Sequence, residues 1–288
     1  MSTMKPRHSG NSKITWAVVA VVLVFVSVLV GIRTIGTQRN SSPPLNATTG
    51  MTQSSSVLLR AITSPNVRVA NLVGVTSRAT SVTPPLTIVG QPSLTSHGRP
   101  EILYVGAEFC PYCAAERWPL AVALGRFGTF SRLDLTNSAP SPEAYPLTPT
   151  FTFYRSTYSS KYVTFVPVET QTRFHQPLMT MTKVEGALVS TYDVEKYLPV
   201  NGPGPGGSIP FLDFGNRFFQ AGANFTPALL AGMSQSSIAK GLDTSTSPVT
   251  QAIVASANYL TADICALTRE QPARICLSSG VKAARAPR

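Results

Sequence analysis

The sequence predicts an α/β domain behind one N-terminal transmembrane helix, and three stretches carry that prediction. Ile102 to Val105 is an apolar run of strand length that leads into Cys110-Pro-Tyr-Cys113 at the mouth of a helical segment. Ile209-Pro210 precedes Phe211-Leu-Asp-Phe214, a Gly215-Asn216 turn and Arg217 to Gly222, which together read as a β-hairpin. Ile14 to Ile32 is nineteen residues of predominantly aliphatic, uncharged chain. As a helix that run is about 28 Å long, enough to cross a hydrocarbon core.

Taken in order, residues 1–13 are short, polar and basic, with Lys5, Arg7 and Lys13. Arg33 and Arg39 follow the apolar span. The excess of positive charge on the N-terminal side favours a cytoplasmic N-terminus and an extracytoplasmic C-terminal domain on the cell membrane. A cleaved signal peptide is the alternative. Its apolar region is usually shorter, and Gly31-Ile-Arg-Thr-Ile-Gly-Thr37 makes a poor small-x-small cleavage site. Residues 33–56, rich in Asn, Ser, Thr and Pro, read as a flexible tether.

Residues 57–277 form the predicted domain. Its first part is an extension packed on the rest: a short helix at Val57 to Ile62, a strand or turn at Asn71 to Val75, and a break at Pro84-Pro85 before Leu86 to Val89. Ala114 to Phe127 has helical composition, with Trp118, Leu120, Ala121 and Leu124 available for an inward face. Arg132 to Leu135 is the next, short strand. An insertion at about 136–207 follows. In it, Phe151 to Tyr154 and Tyr162 to Val166 alternate as paired strands do, Val184 to Leu198 holds a helix, and Asn201 to Gly207 is a connector. Pro227 to Leu267 is mostly helical in pattern, and residues 278–288 are a basic, loose tail.

Lys and Arg number 24 against 13 Asp and Glu, a net charge of +11. The basic residues are scattered, with no dense run beside aromatic motifs, so no nucleic-acid partner is expected. Low charge content with abundant Ser, Thr, Pro and Gly suits an extracytoplasmic protein with long loops.

A Cys-x-x-Cys at a strand-to-helix junction has the layout of a redox dithiol. The first sulfur sits where unpaired N–H groups and the helix dipole stabilise a thiolate. The second lies one turn on and can close the disulfide. Pro111 fixes φ and carries no N–H, which suits the first turn of a helix. Three readings of Cys110 and Cys113 stand: a redox dithiol, half of a metal site, or a permanent structural disulfide. Zinc needs four ligands at suitable spacing. Cys265 and Cys276 are too widely spaced for a second knuckle, and the chain has only His8, His97 and His175. No metal and no organic cofactor is expected. An even cysteine count in an exported domain makes Cys265–Cys276 a stabilising bridge; the alternative is a second redox pair that exchanges with the first.

Ile102-Leu-Tyr-Val-Gly-Ala-Glu-Phe-Cys110 resembles the strand leading into the active site of the thioredoxin superfamily, and Cys-Pro-Tyr-Cys is similar to the glutaredoxin form of the motif. Ser208-Ile209-Pro210-Phe211 resembles the cis-proline segment that faces the dithiol in that superfamily. The resemblance implies a thioredoxin-like fold with a large insertion between the Cys-x-x-Cys helix and the cis-proline strand. It implies that Cys110 attacks, Cys113 resolves, and Pro210 lies against the mixed disulfide. Pro111, Tyr112 and Ile209 would dock the substrate, while Glu108 and Tyr104 would tune the site. Two departures stand out: Tyr104 occupies the position of a usual buried acid, and Pro119 is shifted by one residue from the usual helix proline.

With the anchor, the tether and the second cysteine pair, the chain resembles domain of unknown function 929, a family of membrane-anchored thioredoxin-like proteins. The activity implied is thiol–disulfide exchange on protein thiols or disulfides, with another thiol protein as redox partner. A non-catalytic thioredoxin-like binding or structural module is the alternative. Trp118 reads as core; Asp134, Asp193 and Asp213 form no paired-carboxylate pattern; Asn40, Asn46 and Asn224 fit the glycosylation sequon.

Overall fold

The strand that delivers the dithiol lies in the middle of a mixed sheet, and its two faces bury different sets of residues. The computed structural model describes residues 51–64, 66–78, 80–192 and 207–285. In chain order the strands are β1 (Thr52–Gln53), β2 (Leu86–Thr87), β3 (Thr95–Ser96), β4 (Arg99–Gly106), β5 (Gly128–Asn137), β6 (Pro149–Ser160), β7 (Thr164–Glu169), β8 (Phe211–Phe214) and β9 (Phe218–Ala221). The helices are α1 (Ser56–Thr63), α2 (Val67–Val73), α3 (Pro111–Gly125), α4 (Lys183–Tyr192), α5 (Gln235–Gly241), α6 (Pro248–Leu267), α7 (Ala273–Cys276) and α8 (Ser279–Ala283).

β4 pairs in parallel with β7 on one side, Leu103 opposite Val166, and antiparallel with β8 on the other, Leu103 opposite Asp213. β8 and β9 form a hairpin, β2 adds to β9, and β3 pairs with Arg99 and Pro100 at the start of β4. The β8–β9 turn needs two residues with positive φ, and Gly215 (63°) and Asn216 (61°) supply them. Because side chains alternate along a strand, Ile102 and Tyr104 join one core with Trp118, Leu212, Phe214 and the apolar face of α6. Leu103 and Val105 join another with Val168, Phe211, Phe219 and Tyr192 of α4.

α3 is buried along nearly its whole length, including Trp118 and Leu120 to Leu124. A helix buried on all sides, its Glu116 and Arg117 included, must be enclosed by other elements. α1, α6 and the β5–β6 hairpin do this. Trp118 donates its indole N–H to the Pro149 carbonyl at 3.0 Å. At the far end of the helix, a Cβ on Gly125 would fall 1.8 Å from the Thr63 carbonyl oxygen of α1.

Several expectations change. The strand at Arg132 to Leu135 extends over Gly128–Asn137 and belongs to a separate three-stranded sheet, β1–β5–β6. Phe151 to Tyr154 and Tyr162 to Val166 do not pair with each other. The first lies in β6 against β5, and β7 lies parallel to β4, so part of 136–207 is integral to the central sheet. Period-2 alternation identifies a strand without naming its partner. Asn71 to Val75 is the end of helix α2 and its Gly74 cap, because Asn66 caps the helix from outside by accepting from Arg68 N at 2.8 Å. The last residues of 33–56 are ordered: Thr52 and Gln53 pair with β5, and Ser55 caps α1. Within 278–288, Gly280, Val281 and Ala284 are buried, because α8 packs on α2 and α6. The helix at Val184 to Leu198 is described as Lys183–Tyr192. Ile14 to Ile32 lies outside the described residues, and among those described no helix is long and apolar enough to cross a membrane.

Candidate functional site

Cys110 is the N-cap of α3, with extended φ −73° and ψ 123°, and Pro111 is the first helical residue. That geometry turns the Cys110 Sγ back over the helix end, where it accepts from the Cys113 backbone N–H at 3.3 Å. The position combines an orphan helix donor with the positive end of a fifteen-residue helix. Both cysteines are free. Cys110 keeps 6% of its surface exposed, while Cys113 is wholly buried.

The two thiols are pushed in opposite directions. The Cys113 side chain and amide, with the Arg117 guanidinium, stabilise the Cys110 thiolate and outweigh its burial, so its pKa falls. Burial drives the Cys113 thiol well up, reinforced by the neighbouring Cys110 sulfur. An outer sulfur whose surroundings favour the thiolate beside an inner one whose burial favours the thiol suits sequential attack and resolution.

Ile209-Pro210 faces this pair. The peptide is cis, Pro210 is buried, and the Ile209 carbonyl oxygen lies 3.7 Å from Cys110 Sγ. β8 begins at the next residue, so the sheet itself holds the segment against the sulfur. Ser141-Pro142 and Gln271-Pro272 are also cis, and nothing in the sequence pointed to either. Tyr112 is 41% exposed beside Cys110 and packs edge-on to Tyr145, while Pro111 is buried. Phe109 stacks on His175 with ring centres 4.2 Å apart, and its carbonyl accepts from Ala139 N. Residues 139–147 and 171–176 thus form the walls beside the dithiol.

Beneath it lies a charged cluster whose full membership the sequence did not reveal. Arg117, fully buried, donates through Nε and Nη2 to the two carboxylate oxygens of Glu169 at 2.9 and 2.7 Å. Nη2 also donates to the Ala107 carbonyl at 2.8 Å. Tyr104 is fully buried; its ring centre is 5.9 Å from the Arg117 guanidinium carbon, and its hydroxyl has no hydrogen-bond partner among the described residues. Burial holds the Tyr104 pKa well above its ordinary value, so it stays a neutral phenol. Glu108 is buried too, and neither of its oxygens makes a hydrogen bond of normal geometry. Burial raises its pKa, with Thr152 and the Arg173 amide close enough to offset this only in part.

A second knot sits further along α3. Glu116, buried, accepts from Asn224 N at 2.8 Å, and Asn224 reaches the Thr83 carbonyl and the Gln220 side chain. Asn224 is 1% exposed, so the folded chain shields this sequon. Arg117 was legible in one respect: it stands four residues after Cys113, on the same helix face. Glu169 had no signal, since only the β4–β7 pairing brings it under the helix. Trp118 is core, as its position in the helix implied. Cys265, in the last turns of α6, is bonded to Cys276 of α7, with Cα atoms 5.6 Å apart. Among the described residues no group of three or more His, Cys, Asp or Glu side chains could hold a metal ion.

Fold and site define an α/β protein with a buried dithiol at the N-terminus of its central helix. The chain belongs to the family described as Domain of unknown function (DUF929), which matches residues 86–266, a span that runs from β2 into the end of α6. No curated protein and no solved structure was found to match it.

Proposed function

We propose that the protein is a thiol–disulfide oxidoreductase with a thioredoxin-like domain, held at the cell membrane by Ile14 to Ile32 with that domain on the extracytoplasmic side. One observation carries the reading: the Cys110 sulfur caps a helix, accepts from Cys113 N, and faces the Ile209 carbonyl ahead of Pro210. A dithiol with a stabilised outer thiolate, backed by a proline segment opposite, supports exchange better than it supports a staple.

In this mechanism the Cys110 thiolate attacks a sulfur of a substrate disulfide, and the departing substrate thiolate takes up a proton. Cys113 then attacks Cys110 Sγ, the mixed disulfide breaks, and the second substrate sulfur leaves as a thiol. Two electrons pass from the dithiol to the substrate, and the reverse sequence oxidises substrate thiols. Pro111, Tyr112 and Ile209 would border the substrate, and Pro210 would lie against the mixed disulfide. The substrates are protein thiols or disulfides, and a second thiol protein resets the pair. No metal, organic cofactor or nucleic acid enters the scheme.

The test is a redox titration of the full chain, with differential alkylation read by mass spectrometry. Cys110–Cys113 is expected to titrate reversibly between about −120 and −270 mV, with Cys265–Cys276 still oxidised. A midpoint below about −300 mV for both pairs would make the first a structural staple and leave a non-catalytic binding module.

A further inference from the structure

The charged cluster under the dithiol contains a cation whose hydrogen-bonding capacity is not spent. A guanidinium has five N–H donors in a fixed fork and stays protonated in proteins. Glu169 and the Ala107 carbonyl occupy Nε and Nη2 of Arg117. Nη1 is buried and has no hydrogen-bond partner among the described residues. A buried donor left without an acceptor destabilises the fold, and more so when it is charged. Arg117 stands four residues after Cys113 on α3, and both side chains are wholly buried. Tyr104 meets the same guanidinium from β4, and its hydroxyl is also unpaired. A Cβ on Gly106 would fall 2.2 Å from that hydroxyl, so the glycine leaves it room.

We propose that Arg117 holds the Cys113 thiolate as it attacks the mixed disulfide, acting as a positioning residue for the resolving step, with the Tyr104 hydroxyl as a second donor. This rests on the oxidoreductase reading. In the step, Cys113 loses its proton and its sulfur bonds to Cys110 Sγ. The bond from Cys110 to the substrate sulfur breaks, and that sulfur leaves with the electron pair and takes the proton. For that moment a wholly buried sulfur carries a full negative charge, and desolvation opposes it. The groups around Cys113 are Cys110 from the loop, Arg117 from its own helix and Tyr104 from β4; Glu169 of β7 and Glu108 lie beyond, against Arg117. Among them Arg117 is the cation, and it acts on both sulfurs in the direction that favours the thiolate. Glu169 fixes the fork by its two bonds, which leaves the Nη1 edge for a transient partner.

The test uses the full chain reacted with dithionitrobenzoate. Attack by Cys110 releases one thionitrobenzoate, and resolution by Cys113 releases the second. Arg117→Met with Glu169→Leu removes the ion pair without orphaning a buried charge; Arg117→Gln with Glu169→Gln is the hydrogen-bonding version should the first fail to fold. The second release is expected to slow about tenfold at neutral pH, with its pH midpoint raised by about one unit. The first release should change less, and Arg117→Lys should recover part of the rate. A folded neutral pair that releases the second thionitrobenzoate at the wild-type rate, with an unmoved pH midpoint, overturns the role of Arg117. Failure of wild-type Cys110 to react at all would instead sink the oxidoreductase reading on which the role rests.

Discussion

Replacing Glu116 by Gln should turn a pH-dependent protein into a flatter one. Burial lifts the Glu116 carboxyl from an ordinary 4.5 to about 8, against weaker help to the anion from Asn224 and Gln220. In the native state it is therefore protonated at neutral pH, while in the unfolded chain it is ionised. For an acid whose folded pKa is raised, the stabilisation is complete below 4.5 and is lost as pH climbs towards 8. Each tenfold change in proton affinity is about 1.4 kcal/mol, so the loss reaches about 3 kcal/mol at pH 7 and about 5 above pH 8. Glutamine cannot ionise, matches the shape, and keeps an oxygen to accept from Asn224 N. Urea unfolding of wild type and Glu116→Gln at pH 5, 6, 7 and 8 measures the difference. It should grow by about 2.5 kcal/mol in favour of the variant between pH 5 and pH 7. Asp213, raised to about 7 mainly by burial, imposes its own slope on both proteins and cancels in the comparison. Parallel curves across this range would mean that Glu116 is ionised and stabilised in the native state, and the burial argument would be wrong.

Two further predictions concern stability. Removing the Cys265–Cys276 bridge by paired alanine substitutions should lower unfolding stability by about 3 kcal/mol, the chain-entropy value for a loop of this size, read as a lower urea midpoint. An unchanged midpoint would mean that the packing of α6, α7 and α8 alone fixes this corner. Gly125→Ala should destabilise despite the better helix propensity of alanine. Its Cβ would meet backbone at the Thr63 carbonyl, and relief requires α1 to move, a cost of about 1–3 kcal/mol or more. A rise in melting temperature for this variant would refute the close packing of α1 on α3.

What was legible in the sequence was local. The apolar run before Cys110, the Pro111 that starts a helix, the Gly215-Asn216 turn and the apolar composition of Ala114 to Phe127 each carry their conformation in neighbouring residues. The correspondence is direct in β4, α3 and the β8–β9 hairpin. The reach of Ile209-Pro210 to the dithiol was expected from resemblance, and the 3.7 Å approach to Cys110 Sγ agrees with it. Strand partners were another matter. Phe151 to Tyr154 and Tyr162 to Val166 both alternate in sequence, yet alternation only assigns side chains to faces. Whether Phe151 pairs with Leu135 or with a later strand depends on contacts distant in sequence.

The sequence by itself therefore determined the dithiol, its helix-capping position and the even cysteine count. The cysteines are read directly from the chain, and the capping position follows from backbone preferences within a few residues. Only the tertiary structure decided what surrounds the sulfurs. Glu169 reaches Arg117 because β7 lies parallel to β4, and Glu116 meets Asn224 because the chain after β9 returns along α3. A buried polar or charged side chain is specified by the element that packs over it. That element can be fifty or a hundred residues away, where local propensity carries no information about it.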